Sequence, residues 1–490
     1  MASIAGGRVL RNFSLQLSGE LIGQAIAFVA ALYLARALDA HGFGVWVFAS
    51  SVLLYFTIVI DGGTDVWGMR EVAARPRRLR RLFSAIIASR ILLGIAATAA
   101  VVIFAQFVDR DNGRALMVGL PILVAFMFNT AWAHRGLETG MTGLTVVLQR
   151  VTWLALAWFL IKSPADADFV TFWQGVSEAT GVAVLFLLLI PRLRAQTGHR
   201  ARISVGAVFA HSWPLALSRA MRALTATFAI VVLNLTNSDA EVGYYGAALR
   251  VGTILVLVST VFSNAAFPGL SRACRGRDQA GVLAAAMRLL AAVIAPIAVG
   301  GAVLSEPLIK ALFPPQFAEA AGMLAILMLA YVAMATSDLL RRILTARRRQ
   351  QLDLKVTAVG TVISIAVTLW LAGIYGGLGA AVAMVIGELA ILALAHWGVA
   401  RTGPSVAILR EGALPLLGAV LMGAVVWLAG DLPLLARIGL GVLTYLAWLK
   451  LAHRNLVEDL NRINQATVGS ARPVTDERPV GESSADSSQR

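Results

Sequence analysis

Charge is scarce in this chain. Only 14% of its 490 residues are Asp, Glu, Lys or Arg, and 58% are hydrophobic, whereas soluble domains carry roughly a quarter charged residues. The shortage excludes an ordinary soluble enzyme and places the chain in a membrane. Cysteine is scarcer still. Cys274 stands alone, which excludes an internal disulfide, and its basic surroundings point to a reduced, cytoplasmic face. The histidines His41, His134, His199, His211, His396 and His453 are dispersed; without metal-ligand spacing, neither a metal nor another cofactor is expected.

What fills the chain is a series of apolar runs, recurring from Ser14 to Lys450 with short interruptions. Runs of about 20 residues, at 1.5 Å per residue, cross roughly 30 Å of hydrocarbon. Nothing in a bilayer core satisfies a bare peptide group, so such runs must be helices; barrel strands would alternate over about ten residues. The expectation is an all-α polytopic membrane protein with about fourteen transmembrane helices. The first run, Phe13 to Leu34, outlasts the roughly 7–15-residue core of a cleaved leader and reads as a retained span.

Basic residues near span ends resist translocation and so set orientation. With the N-terminus inside, 32 of the 42 Lys and Arg residues fall on the cytoplasmic side. They include RPRRLRR from Arg75, RRILTARRR from Arg341, and the pair Arg135 and Arg150. Both termini are therefore expected in the cytoplasm. The net charge of +15 needs no nucleic acid; the clusters serve as orientation signals and as anchors for anionic lipid. Tryptophans near predicted span ends, Trp46, Trp67, Trp132, Trp173 and Trp213, read as interfacial anchors. The polar tail after His453 is expected to be disordered.

The stretch LARALDAHGFGVWVFASS, Leu34 to Ser51, interrupts the apolar pattern with two glycines. A phosphate loop would need a soluble βαβ setting, so the stretch reads as the external hairpin between spans one and two, architectural and without a ligand. It has an echo. Gly44, Trp46 and Ala49 match Gly243, Tyr245 and Ala248 at a constant offset of 199. With six spans between the copies, the repeat is parallel and predicts two bundles around an axis along the membrane normal, with a substrate cavity between them.

Those residues also carry a family resemblance. The opening hairpin, followed by Asp61-Gly62-Gly63 and Arg70-Glu71-Val72-Ala73, resembles the N-terminal signature of the polysaccharide and O-antigen repeat-unit flippases of the multidrug/oligosaccharidyl-lipid/polysaccharide exporter superfamily. AWAHRGLETG, VGYYGAALRV, FPGLSR, ALFPPQFAEAAGMLAIL and IYGGLGAAVAMVIGE agree in the same order. The resemblance implies two pseudo-symmetric six-helix bundles around a central cavity plus two C-terminal helices. The corresponding segments are 1–200, 201–400 and 401–452, followed by a tail at 453–490. It also implies translocation of a polyprenyl-diphosphate-linked oligosaccharide across the cytoplasmic membrane, alongside polymerase and chain-length-regulator proteins. Many relatives carry an aspartate in the helix before the second hairpin, where this chain has Asn234.

An ionisable group at membrane depth costs about 2.5–3.5 kcal/mol, so one that persists faces a wet cavity or a partner. Arg219 and Arg222 are three residues apart on one helix face, and Arg90 and Arg250 also lie within spans. Fork-shaped, permanently charged donors suit a diphosphate. Arg90, Arg219 and Arg222 are expected to form a cytoplasm-facing anionic site, with Arg250 further along the path. The acids Glu20, Asp61, Glu178, Asp338 and Glu388 are candidates for ion coupling or for charge partners of these arginines. A multidrug/cation antiporter would favour an acid-rich cavity, and a membrane glycosyltransferase or polymerase would need a larger external loop. A peptidoglycan-precursor flippase would share the substrate chemistry.

Overall fold

The computed structural model describes residues 2–196, 204–274, 278–452 and 456–468. The expected tail beyond 468, and the loop around His199, lie outside the described residues. Apolar runs become helices throughout. The first bundle comprises α1 (Ala2–Ala37), α2 (Ala40–Asp61), α3 (Thr64–Ala74), α4 (Leu79–Phe104), α5 (Arg110–Val118), α6 (Leu120–Met127), α7 (Ala131–Gly136), α8 (Met141–Leu160) and α9 (Val170–Arg194). The second comprises α10 (Val205–Thr236), α11 (Asp239–Ala273), α12 (Gln279–Val303), α13 (Ser305–Leu312), α14 (Ala320–Ala346) and α15 (Gln350–Thr402). Peripheral to both are α16 (Ile408–Leu428), α17 (Leu434–Ala452) and α18 (Leu456–Val468).

Among the described residues, twelve helical segments are long and apolar enough to cross a membrane, or thirteen when α10, bent by 54°, counts as one span. The expected fourteen differ from this number chiefly at α15. That segment runs for 53 residues but carries one non-helical residue, Gly376, at φ +57° and ψ −140°. A side chain strains against a positive φ, so glycine is the residue that permits the turn. Gly360 and Ile391 then lie in contact across the reversal, and α15 is a helical hairpin rather than one rod.

The repeat is visible in how α2 and α11 begin. Asp39 caps α2 by accepting the Gly42 N–H at 2.7 Å, and Ser238, its counterpart at the offset of 199, caps α11 by accepting from Glu241 at 3.3 Å. Such caps satisfy amide groups that have no partner inside the helix. The turns before α2 and α11 share one face of the protein. The clusters at Arg75 to Arg81 and Arg341 to Arg349 lie at the other, the basic face.

Two expectations need correction. Leu456–Val468, the first part of the tail that was expected to be disordered, is helical. Ile463 of α18 is buried, and Asp459 bonds to Arg288 of α12 at 2.6 Å, while the same guanidinium also grips Glu411 of α16. Buried Ile463 and the ion pairs of Asp459 with Arg288 and of Arg462 with Asp278 hold α18 despite its polarity. Trp46 and Trp132 are not interfacial anchors either, being 3% and 0% exposed; their rings fill the interior because the helices around them pack on all sides.

Candidate functional site: a cavity between two closures

At the face bearing the two hairpins, α2 and α11 touch backbone to backbone. A Cβ added at Gly44 would collide with the Asp239 carbonyl oxygen, and one added at Gly243 would collide with that of Ala40. Because Ala40 and Asp239 are themselves related by the offset of 199, the contact is reciprocal, as an isologous interface must be. The Asp239 carboxylate reinforces it by accepting from Asn112 at 2.8 Å and Asn234 at 2.6 Å. Asn234, the departure from the family pattern, is thus a donor in this seam.

Below the seam lies a central cavity of about 570 Å³. Five of its lining pairs obey the same offset: Val47 with Gly246, Ser50 with Leu249, Ser51 with Arg250, Leu54 with Thr253 and Thr57 with Val256. One face of α2 and the equivalent face of α11 therefore form opposite walls.

Its charge is not symmetric. The Arg250 guanidinium lies 4.9 Å from the centroid of the Trp46 ring, within cation–π range. Trp46 is held in turn, its indole N–H donating to Gln174 Oε1 at 3.0 Å, an oxygen that also accepts from Ser50 at 3.1 Å. Across the cavity Arg150 approaches Glu178 at 3.5 Å, both about one-third exposed, and its charge acts on Arg250. Two arginines thus share the space with one lining acid, Glu178; Gln24, Gln174 and Asn129 supply neutral polar groups.

At the basic face the closure is ionic. Asp61, fully buried at the end of α2, accepts from Arg90 at 2.7 Å and from Arg219 at 2.8 Å. Arg90 is 1% exposed and spends its remaining donors on Thr64 Oγ1 at 2.9 Å and the Asn129 carbonyl at 2.6 Å. That carbonyl belongs to the break between α6 and α7, where a freed backbone group in a membrane must find a protein partner. Asp65 takes a forked pair of bonds from Arg135, at 2.7 and 2.8 Å, and lies 3.6 Å from Arg219. Arg219 comes from α10, so it ties the second bundle to acids of the first.

The predicted residues therefore fall into three places. Arg90, Arg219 and Asp61 come together, but none of them is among the residues that line the cavity. Arg222 is exposed beside them, within electrostatic reach of Arg219, Arg341, Asp338 and Asp353. Asp338 itself pairs with Arg342 at 2.9 Å. Arg250 and Glu178 line the cavity as expected of groups at membrane depth. Glu388 is buried one turn beyond the cavity-lining Met384, near the charge of Arg341, and exposed Glu20 accepts from Gln16 at 3.2 Å. Sequence reasoning missed Arg150, which it counted with the basic-side loops, although its place inside the apolar run of α8 was the available signal. It also missed Gln174 as part of the cavity wall and Trp46 as the ring on which Arg250 rests.

Residues 9–274 match the family described as polysaccharide biosynthesis protein. Among curated proteins, one of Haloferax volcanii named as a probable low-salt glycan biosynthesis flippase, Agl15, is 21% identical over 371 residues, covering 74% of this chain and 78% of that protein. One of Escherichia coli named as a candidate O-antigen transporter is 23% identical, over 49% of this chain and 59% of its own length. Among solved structures, an inward closed conformation of the lipid II flippase MurJ superposes with a TM-score of 0.73 at 14% identity, covering 90% of this chain and 98% of that one. An inward-facing multidrug resistance MATE transporter of the MOP superfamily gives 0.61 at 13% identity, covering 78% and 94%. The likeness to the structures establishes the fold: two six-helix bundles around a central cavity, with additional C-terminal helices. The family match spans more than half of the sequence, and the chain, a multi-pass membrane protein, belongs to the polysaccharide biosynthesis protein family.

Proposed function

We propose that this protein is a flippase of the cytoplasmic membrane that moves a polyprenyl-diphosphate-linked oligosaccharide repeat unit from the inner to the outer leaflet, for cell-surface or extracellular polysaccharide, by alternating access of its two bundles. The observation that carries this reading is the presence of Arg150 and Arg250 in the walls of one cavity between the bundles. Two guanidinium groups with a single lining acid favour an anion, and their fork-shaped donors suit a diphosphate. A carrier of cationic drugs would be expected to show the reverse balance, which disfavours the antiporter reading.

In this reading residues 1–200 and 201–400 are the moving bundles, 401–452 an accessory pair and 453–490 a cytoplasmic tail. The basic face is cytoplasmic and holds both termini, as the distribution of Lys and Arg suggests. The diphosphate displaces Glu178 from Arg150. Gln174, whose oxygen is already engaged twice, donates from its amide nitrogen to a sugar hydroxyl. Arg219 and Arg222 receive the head group at the cytoplasmic mouth, while Asp61, Asp338 and Glu388 act as charge partners. Polymerase and chain-length-regulator proteins act on the delivered unit.

The test is transport of a fluorescent lipid-linked oligosaccharide in proteoliposomes. Arg150→Gln and Arg250→Gln are each expected to reduce the rate at least about tenfold, the loss associated with a charge-assisted hydrogen bond. The lysine variants should lose less. Wild-type rates for both glutamine variants, at equal reconstitution, would refute the assignment of this cavity.

A further inference from the structure

A second hollow of about 680 Å³ lies on the outer flank of the first bundle, between α6 and α9. Its floor and rims are apolar, with Val124 and Phe128 on one side and Ala183 and Phe186 on the other. Two residues, Ala125 and Val182, line both this groove and the charged central cavity. The wall between a space that holds arginines and a space open to lipid is therefore a single side chain thick at these two positions.

The backbone explains why the wall is thin there. Toward the hairpin face α6 and α9 are closed on each other: a Cβ at Gly175 would stand 2.9 Å from the Ile122 nitrogen and 3.0 Å from the Pro121 side chain. Toward the basic face α6 ends at Met127 and the chain is non-helical before α7 begins at Ala131. The break sends consecutive residues to opposite sides, Phe128 into the groove and Asn129 into the cavity. Arg90 fixes it by binding the Asn129 carbonyl. Interrupted spans tolerate bare backbone only where protein or a cavity receives it, and they commonly border binding sites.

From this juxtaposition we infer that the groove between α6 and α9 holds the polyprenyl chain of the substrate while its diphosphate occupies the central cavity. The inference rests on the flippase reading above and adds the path of the tail. A long hydrocarbon chain confined to a cavity lined by Arg150, Glu178 and Arg250 would lose the hydrophobic free energy that it has in lipid. A chain leaving sideways past Ala125 and Val182 keeps an apolar surface along its length. The groove is sealed toward the hairpin face, and the break that ends α6 at Met127 lies toward the basic face, which suits loading from the leaflet on that side. Its occupant thus differs from a bulk lipid acyl chain in being tethered to an anion one side chain away.

The experiment uses the full chain in nanodiscs and two probes with the same diphosphate oligosaccharide head, one on a single isoprene unit and one on a long polyprenyl chain that carries a diazirine within its first few isoprene units. Ala183→Trp and Val124→Trp, which fill the groove from either rim, are expected to weaken binding of the long-chain probe by about tenfold or more. Binding of the short-chain probe should stay within about twofold, which also reports that the variants are folded. Photolysis should mark peptides containing residues 120–128 and 179–187. If the long-chain probe binds both variants as it binds the wild type, or its label falls elsewhere, the groove holds bulk lipid and the inference is overturned while the cavity reading stands. If Arg250→Gln leaves binding of the short-chain probe unchanged, the cavity reading itself fails.

Discussion

The two ends of the central cavity are closed by opposite means. At the hairpin face, Gly44 and Gly243 bring two backbones together with no side chain between them, and the contact follows the offset of 199. At the basic face, Asp61, Asp65, Arg90, Arg135 and Arg219 form an ionic knot. The acid at its centre has no symmetric copy, since Thr260 of α11 stands where the offset would repeat Asp61 of α2. The repeat conserves shape and not charge, as the pair Ser51 and Arg250 also shows inside the cavity. The backbone contact of the seam holds no charge for salt to screen, and the charged groups beside it are His41, Asp111 and Asp239, whereas the ionic closure competes with any charged ligand for its arginines.

The sharpest way to break the comparison is to remove the acid at the centre of the knot. Asp61→Asn leaves Arg90 buried without its counter-ion, and breaking a buried pair from one side costs about 3–5 kcal/mol. The variant should therefore show a large loss of thermal stability in detergent. Asp61→Asn combined with Arg90→Gln removes both charges and should recover part of that loss, because residues in one network do not add independently. An unchanged unfolding temperature for Asp61→Asn would show that the knot is not a structural element.

The seam is expected to give a smaller effect and a symmetric one. A methyl group at Gly44 or Gly243 meets a carbonyl oxygen in either case, and overpacking of this kind costs about 1–3 kcal/mol. The cost falls on the state in which the seam is closed, so Gly44→Ala and Gly243→Ala should both favour opening at the hairpin face. Labelling of Ser50→Cys by a membrane-impermeant thiol reagent, in a Cys274→Ser background, should accelerate by about tenfold or more for each. Unequal effects would mean that the reciprocal contact does not work as an isologous gate.

These contrasts also mark what the sequence could convey. Apolar runs exposed the helices, and three matched positions in two hairpins exposed the repeat, which five pairs of cavity residues then extend through α2 and α11. Periodicity carries such information because it is local. Partners are not local: Asp61 meets Arg219 across 158 positions of sequence, so a list of intramembrane charges could name both residues and not their bond. Arg150 was hidden for a different reason. A charge inside an apolar run reads as the end of a span, and only the packing of α8 against α1 and α9 shows that the position is interior. Trp46 misled in the opposite sense, since an aromatic ring near a span end resembles a lipid anchor until Trp153 and Gln174 of the first bundle and Arg250 of the second enclose it.

The smallest expected effect on stability separates the two arginines that share Asp61. Arg90 is enclosed, but Arg219 is about one-third exposed, and ion pairs open to solvent contribute only about 0–1 kcal/mol. Arg219→Gln should therefore leave the unfolding temperature close to that of the wild type, in contrast to Arg90→Gln. Its consequence should appear in conformation, because Arg219 is the member of the knot that belongs to the second bundle. Labelling of Ser50→Cys from the basic face should rise in Arg219→Gln, and the wild type should approach the same rate as salt is raised and the exposed pair is screened. Gly44→Ala, tested at the hairpin face, should depend on salt less steeply, because the contact that it disturbs is backbone against backbone. If Arg219→Gln destabilises the protein as much as Arg90→Gln does, the ionic closure is a static strut, and the difference between the two ends of the cavity is one of construction alone.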